Sequence, residues 1–141
     1  VLGIPVKTDP LVTEGKASLL KTFQDLTALV DATGICLFTT FGIGLPEVAA
    51  QYREAVGSDE SDEEILLKGE RIWNLEKQFN IAAGVEKDTL PPRLLREKLP
   101  NGPAEGKVND LYTMLAEYYE ARGWTADGIP TPEKLEQLHL K

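Results

Sequence analysis

The sequence predicts an all-α fold, an irregular bundle of four to five helices with one long Pro/Gly-rich connection. Apolar residues recur at three- and four-residue steps along most of the chain, which is the period of an amphipathic helix. Glycines follow these periodic stretches, and almost no segment alternates as a β-strand does. Because 141 residues is the size of one ordinary domain, we expect residues 1–141 to form a single helical domain.

The first helix follows an irregular opening segment, residues 1–15. It begins near Lys16 and ends before Gly34, which suits the left-handed backbone conformation that often follows a helix. A short apolar segment, residues 35–41, comes next. The apolar stripe of this helix consists of Leu19, Leu20, Phe23, Leu26, Thr27 and Val30.

Two more helices are predicted before residue 84. Pro46 is a favoured first-turn residue for the second helix, which ends at Gly57. The third begins at a capping box, Ser61–Glu64, and ends at Gly84. A glycine inside it, Gly69, indicates that another element packs closely there. One face of the third helix carries Ile65, Ile72, Leu75, Phe79 and Ala82.

The last third of the chain begins with the long connection. Prolines and glycines between residues 84 and 107 predict an irregular surface segment that contains no regular helix. A fourth helix then runs from about Leu111 to Gly123. A short fifth helix begins at Thr131, a favoured N-cap residue that precedes a proline.

Composition excludes several classes of partner. The net charge of -8 argues against nucleic acid and anionic membranes, which select a basic face. A single cysteine excludes an intramolecular disulfide, so we expect a cytoplasmic protein. No apolar run approaches the ~18 residues of a membrane span. No secretory signal is recognised at the start of the sequence. Because the first residue is Val1 and not Met, we expect a piece of a longer polypeptide.

The segment from Asp31 to Cys36 is where the residue types suggest a binding site. A carboxylate at a helix C-terminal end opposes the helix dipole, and it could accept both N–H groups of a heterocycle. Gly34 allows a turn and the close approach of a ligand, and Cys36 could offer a thiolate to a metal cluster. Taken singly, however, these residue types are more often a helix stop and a small buried side chain.

Other conspicuous residues indicate structure. His139 lies near the C-terminus, where we expect a frayed tail. The acidic run 59–64 lacks the spaced ligands of a calcium loop and indicates a solvated helix start. No phosphate loop, nucleophile elbow or two-histidine metal motif is present, so we assign no catalytic residue. The aromatic residues that we expect in the core or at packing seams are Trp73, Trp124, Tyr112, Tyr118 and Tyr119.

Three segments follow one another along the chain in a recognisable order: residues 15–38, 69–80 and 88–132. They resemble, in that order, a cofactor motif, a helix and the C-terminal stretch of the aldehyde ferredoxin oxidoreductase family. The resemblance implies an enzyme that oxidises aldehydes to carboxylic acids. It also implies a tungsten or molybdenum bis-pterin cofactor and a 4Fe–4S cluster that passes electrons to ferredoxin.

The resemblance also implies site residues. Asp31 matches an aspartate that hydrogen-bonds a pterin ring, Ile35 a residue whose backbone contacts the same pterin, and Cys36 the last of four cysteine ligands to the cluster. Gly34 is the glycine of the same motif. The family usually reads Asp-Ser-Leu-Gly-Leu-Cys here, and the departures at residues 32 and 33 and the conservative change at Ile35 do not alter these contacts.

One thiolate cannot hold a four-cysteine cluster, so the chain is expected to be inactive alone and to bind no cofactor by itself. Its partners are then the remaining domains of the parent enzyme, ferredoxin and an aldehyde substrate. A piece of this kind is also expected to expose apolar surface near Ile35 to Leu45, or to self-associate through it. The alternative is a non-catalytic helical protein-interaction module, because the chain contains no complete catalytic set.

Overall fold

The chain is all-helical, as predicted, in a computed structural model that describes residues 8–85 and 87–140. Within those ranges the β-type pairing is a single isolated bridge between Trp124 and Pro130. The predicted opening segment lies partly outside the described residues. The elements are α1 (Ala17–Thr33), a 3₁₀ helix (Leu37–Phe41), α2 (Leu45–Val56), α3 (Asp62–Ala82), α4 (Pro92–Arg96), α5 (Leu111–Arg122) and α6 (Pro132–Gln137).

The predicted helix ends agree with the structure. Gly34 follows α1 in the left-handed conformation, with φ of 75°, and its N–H donates to the carbonyl oxygen of Asp31. The capping box at the start of α3 is complete, because Ser61 Oγ accepts from the Glu64 N–H while Glu64 Oε2 accepts from the Ser61 N–H. Local sequence therefore fixes where these helices begin and end.

The long connection contains a helix, so the prediction of an irregular segment is wrong over Pro92–Arg96. Proline is compatible with a first turn because the N–H it lacks has no intrahelical partner there. The carbonyl oxygen of Leu94 also accepts from the Asn109 N–H at 3.0 Å, which ties this helix to the segment before α5. The described residues therefore contain six α-helices, one more than the upper end of the predicted four to five.

The aliphatic core lies between the C-terminal half of α1, α2 and the first half of α3. At Gly69 the two long helices come so close that a Cβ would lie 1.9 Å from the carbonyl oxygen of Asp25. Only glycine permits this approach, which confirms the predicted close packing. The buried members of this core are Leu26, Leu29, Val30, Val48, Ala49 and Ile65.

A second, aromatic cluster lies where α5 meets the segment that follows it. Tyr118, Tyr119 and Trp124 are buried together, with Trp73 of α3 packed against them. The ring of Trp124 meets that of Tyr118 edge-on, at 5.7 Å between centroids. These four residues lie where the aromatic pattern predicts, whereas Tyr112 is 66% exposed.

The outer flank of α3 differs from what its apolar pattern suggests. Of the residues that share one face, Ile65 is buried, but Leu75 and Phe79 are 56% and 73% exposed. The helix instead turns Gly69 and two polar residues, Glu70 and Asn74, inward. The inward face is set by the close approach of α1 at the glycine and by polar partners on other helices, not by apolar spacing.

A buried group of charged and polar side chains, the polar seam, joins α1 to α3, α5 and α6. Arg122 is fully buried, and its Nη1 lies 2.5 Å from Asp25 Oδ1. Lys21 binds Asp25 at 2.8 Å and Glu70 at 3.2 Å, and Lys134 binds Glu70 at 3.1 Å. Each buried charge therefore has an opposite charge within contact distance, as burial requires.

Neutral groups complete the polar seam. Tyr118 Oη donates to Gln24 Oε1 at 2.7 Å and accepts from Arg122 Nε at 3.0 Å and from Trp73 Nε1 at 3.1 Å. Trp124 Nε1 donates to Asn74 Oδ1 at 2.8 Å. The polar seam fixes α1 to α5 across about a hundred residues of sequence, since Arg122 and Asp25 are 97 positions apart.

The C-terminal residues are anchored. Leu138 is fully buried, and the N–H groups of His139 and Leu140 donate to carbonyl oxygens of α6. The prediction of a frayed tail is therefore wrong through Leu140, although His139 itself is exposed. No helix in the described part of the chain has the length and apolar character that crossing a membrane requires.

Candidate functional site

The candidate site is the turn between α1 and the 3₁₀ helix. Asp31 lies in the last turn of α1, Gly34 ends that helix, and Cys36 precedes the 3₁₀ helix. Asp31 and Cys36 are both exposed, whereas Ile35 between them is half-buried and packs against the aliphatic core. The structure thus places the two polar candidates at the surface of one short turn.

Local hydrogen bonds hold this turn. Thr33 Oγ1 donates to the carbonyl oxygen of Val30 at 2.7 Å. The carbonyl oxygen of Cys36 accepts both from the Thr39 N–H at 2.9 Å and from Thr39 Oγ1 at 2.7 Å. A Cβ on Gly34 would meet nothing within 4 Å, so this glycine serves the left-handed turn. The backbone around Cys36 is therefore ordered by its own neighbours.

The reactive groups of the turn are uncommitted. Within residues 8–85 and 87–140, neither the carboxylate of Asp31 nor the thiol of Cys36 has a hydrogen-bond or ion-pair partner. The alternative interpretation of Cys36 as a small buried side chain is wrong, because the residue is exposed. An exposed carboxylate and an exposed thiol, five residues apart, are available to a ligand that approaches from outside the chain.

An exposed aromatic surface adjoins the turn. Phe38 and Phe41 of the 3₁₀ helix are 79% and 73% exposed, and Leu37 is 46% exposed. The two rings stack on each other, 6.3 Å between centroids. This surface is the exposed apolar surface predicted between Ile35 and Leu45. We call these three residues the aromatic surface.

A groove opens on another side of the turn and was not anticipated from sequence. Its volume is about 490 Å³, and it lies between the end of α1, the end of α2 and the middle of α3. The only sequence signals for it were apolar residues at helix ends, which are ambiguous without the packing. The α1–α3 groove, as we call it, is lined by Leu29, Ala32, Thr33, Ile35, Gln51, Tyr52, Ala55, Val56, Lys68 and Ile72.

The acidic run before α3 is a helix start that is paired with cations. Glu60 binds Lys68 at 2.6 Å, and Asp62 binds Arg53 at 2.7 Å. The hydrogen bond from Lys68 lowers the pKa of Glu60. No group of three or more His, Cys, Asp or Glu side chains in the described part of the chain could hold a metal ion. The run forms the start of α3, as predicted.

The comparison with known proteins gives the family. A family model described as "Aldehyde ferredoxin oxidoreductase, domains 2 & 3" matches residues 1–140. The chain belongs to the aldehyde ferredoxin oxidoreductase family. The prediction from the ordered motifs is confirmed, and a match of this extent favours it over the alternative of an independent interaction module.

Relatives within the family are much longer than this chain. The tungsten-containing aldehyde ferredoxin oxidoreductases of Pyrococcus abyssi and Pyrococcus furiosus are each 49% identical to it, over 100% and 99% of the chain and 24% of the relative. A Pyrococcus furiosus protein named as the WOR-like subunit of an aliphatic sulfonate oxidoreductase is 31% identical over 80% of the chain and 20% of the relative. The chain spans about a quarter of the length of the aldehyde enzymes that it matches.

Proposed function

We propose that the chain is the helical C-terminal part of an aldehyde:ferredoxin oxidoreductase, in which the turn at Asp31–Cys36 forms one wall of the cofactor site. The observation that carries the proposal is this turn, which presents an uncommitted carboxylate and an uncommitted thiol at the surface of a chain from this family. The fragment is not expected to act alone.

Asp31 is suited to a pterin ring. An ionised carboxylate only accepts hydrogen bonds, and it can accept from two adjacent N–H groups at once. Its position at the C-terminal end of α1 disfavours the negative charge, so two donors from outside the chain would offset this cost. Ile35 packs its side chain on the core, which holds its backbone beside Asp31 for a contact with the same ring.

Cys36 is suited to be one ligand of a 4Fe–4S cluster. Such a cluster takes four thiolates, and the chain contains one cysteine, so three ligands come from the rest of the parent. When bound, the pterin-held metal supplies the oxidation of an aldehyde to a carboxylic acid, and the cluster supplies the route of the electrons to ferredoxin. The residues of this chain bind and orient, and none is assigned as an acid or base.

The partners and setting of the parent follow from the same assignment. The metal is proposed to be tungsten, because the relatives with nearly half their aligned residues identical are named as tungsten-containing. The remaining domains, ferredoxin and an aldehyde are the proposed partners. A chain with a single cysteine fits a cytoplasmic enzyme, where thiols stay reduced.

The first test is made in the full-length parent, purified anaerobically. Cys36→Ser is expected to lose the paramagnetic signal and the iron of the cluster, because a ligand is removed. Asp31→Asn keeps the shape but removes the charge, and a hydrogen bond to a charged group contributes about 1.5–3 kcal/mol. The pterin should then be retained roughly 10- to 150-fold less well.

A matched control accompanies each variant. Asp59→Asn changes an exposed aspartate on the α2–α3 connection and should leave both cluster and pterin in place. Ser18→Ala does the same for a small exposed residue at the start of α1. Full iron content and normal pterin retention in both Cys36→Ser and Asp31→Asn would show that this turn does not contact the cofactors.

A further inference from the structure

The outer flank of α3 is an apolar surface. Ile72, Leu75 and Phe79 are spaced three and four residues apart, so they lie along one side of the helix. Leu75 is 56% exposed and Phe79 is 73% exposed. We call these three residues the α3 flank. A contiguous exposed apolar patch marks an interaction site, unlike apolar residues that are scattered singly over the surface.

The α3 flank is continuous with the α1–α3 groove. Ile72 belongs to both, because it is half-buried and lines the groove. The groove lining also includes Ala32, Thr33 and Ile35, which belong to the turn of the candidate site. One surface therefore runs from the proposed cofactor contacts to the distal end of α3.

The groove presents almost no charge to an occupant. Lys68 is the only charged side chain in its described lining, and its ammonium is held by Glu60 at 2.6 Å and lies 5.6 Å from the centre of the Tyr52 ring. An anionic ligand would have to compete with that ion pair. Apolar side chains would displace only water from the remaining lining, which makes them the fitting occupant.

The relatives are longer than this chain, so polypeptide outside the matched region is available to cover the groove. About three quarters of each aldehyde enzyme lies outside the region matched by this chain. A second copy of this chain is a poorer candidate, because each copy carries a net charge of -8 and two copies repel each other. The covering partner is therefore best sought in the same polypeptide.

We propose that the α1–α3 groove and the α3 flank seat an apolar segment from the remaining three quarters of the parent polypeptide. This contact would hold the Asp31–Cys36 turn against the rest of the enzyme. The proposal rests on the proposed function in one respect, that the chain works as part of that longer polypeptide.

The test uses thiol labelling of the full-length parent, under anaerobic conditions. Leu75→Cys and Phe79→Cys each place a thiol on the α3 flank, and Tyr112→Cys places one at a comparably exposed aromatic position on α5. A maleimide is added to the folded parent and to the parent unfolded in urea, and labelling beyond that of the unsubstituted parent is followed. Hydroxyl-radical oxidation of Phe79 in the unsubstituted parent gives a second reading that needs no substitution.

The expected result is that both flank positions label at least about tenfold more slowly in the folded parent, which corresponds to about 1.4 kcal/mol of opening free energy. Phe79 of the unsubstituted parent should be protected from oxidation to a similar degree. Labelling at the unfolded rate together with unprotected Phe79 would overturn the proposal. Protection of Phe79 in the unsubstituted parent alone supports it, because the cysteine variants have then weakened the contact.

Two further outcomes separate the alternatives. Protection within one polypeptide does not depend on protein concentration, whereas protection by a second copy is lost on dilution; loss on dilution would overturn the proposal in favour of self-association. The outcome is also independent of the cofactor test. A protected Phe79 in a parent whose Cys36→Ser variant keeps its cluster would support the docking surface and reject the proposed cluster ligand.

Discussion

The polar side chains at the two ends of α1 differ in how many hydrogen-bond and ion-pair partners they find within this chain. Along the first half of the helix, Lys21, Gln24 and Asp25 are bound by groups of α3 and α5, and Arg122 at the centre of the polar seam is fully buried. At the far end, Asp31 is exposed and no described group binds its carboxylate.

The difference separates the charged groups that are paired inside this chain from the polar groups that are exposed at its surface. A buried charge without a partner is costly, so every member of the polar seam had to find its partner within the chain. The turn that carries Asp31 and Cys36 is exposed and bears no such requirement. Its polar groups and its neighbouring aromatic surface are open to contact from outside the chain.

The largest expected effect comes from breaking the polar seam. Arg122→Met keeps much of the side-chain volume but leaves Asp25 buried without its guanidinium partner, which should lower the free energy of unfolding by about 3–5 kcal/mol. Because Lys21 still binds Asp25 at 2.8 Å, we expect the lower end of that range. Chemical denaturation of the chain measures the change.

The matched control for this prediction is Arg71→Met. Arg71 is an exposed arginine on α3, so its loss should change the free energy of unfolding by no more than about 0.5 kcal/mol. Equal effects of the two substitutions would mean that the Arg122–Asp25 ion pair does not stabilise the fold.

A smaller effect is expected from Glu70, which links Lys21 to Lys134. Burial opposes its ionisation, but the two ammonium groups outweigh burial and lower the pKa of Glu70 below its ordinary value of 4.5. A lowered pKa stabilises the fold at pH values above 4.5, and this contribution is lost as the pH falls through the folded-state pKa. Glu70→Gln should therefore cost about 1–3 kcal/mol at neutral pH.

The pH dependence of this variant checks the mechanism. The difference in stability between Glu70→Gln and the unsubstituted chain should shrink as the pH is lowered below 4.5, where the natural carboxylate becomes protonated. Glu76→Gln, at an exposed position of the same helix, should show a small difference at every pH. A constant difference for Glu70→Gln would point to packing, not charge, as its contribution.

The smallest effect is expected at the open end of α1. Phe38 is 79% exposed, so Phe38→Ser should change the free energy of unfolding of the isolated chain by no more than about 0.5 kcal/mol. A loss above about 1 kcal/mol in circular-dichroism-monitored denaturation would show that the ring is packed within the chain. In that case the aromatic surface would not be available to a partner.

Local signals made the helix boundaries predictable. The capping box at Ser61 and the glycine at residue 34 act through backbone groups within a few residues, so they can be recognised without knowing the fold. Gly69 was also informative, because a glycine inside a helix costs stability and so indicates a closely packed neighbour. The turn of the candidate site came from a family motif, and its contacts with cofactors stay a prediction, as does the single-domain organisation.

Non-local packing was not predictable. The apolar spacing of α3 places Leu75 and Phe79 on one flank, yet the face that packs is chosen by α1 at Gly69. A periodic pattern gives the relative positions of side chains on a helix but not the direction from which its neighbours come. The short α4 was not predicted for a related reason. The hydrogen bond that ties it to the rest of the chain comes from Asn109, 15 positions beyond Leu94, and such a contact cannot be recognised from neighbouring residues.

The sequence by itself determined the all-α class, the helix ends and the family, because capping, periodicity and motif order can be recognised from residues that are close together in the sequence. The tertiary structure decided that Arg122 would meet Asp25 and that Asp31 and Cys36 would remain exposed. The physical reason is that burial is a property of the whole packing. A charge is paired or left free according to which helices meet over it, and residues 97 positions apart carry no local sign of that meeting.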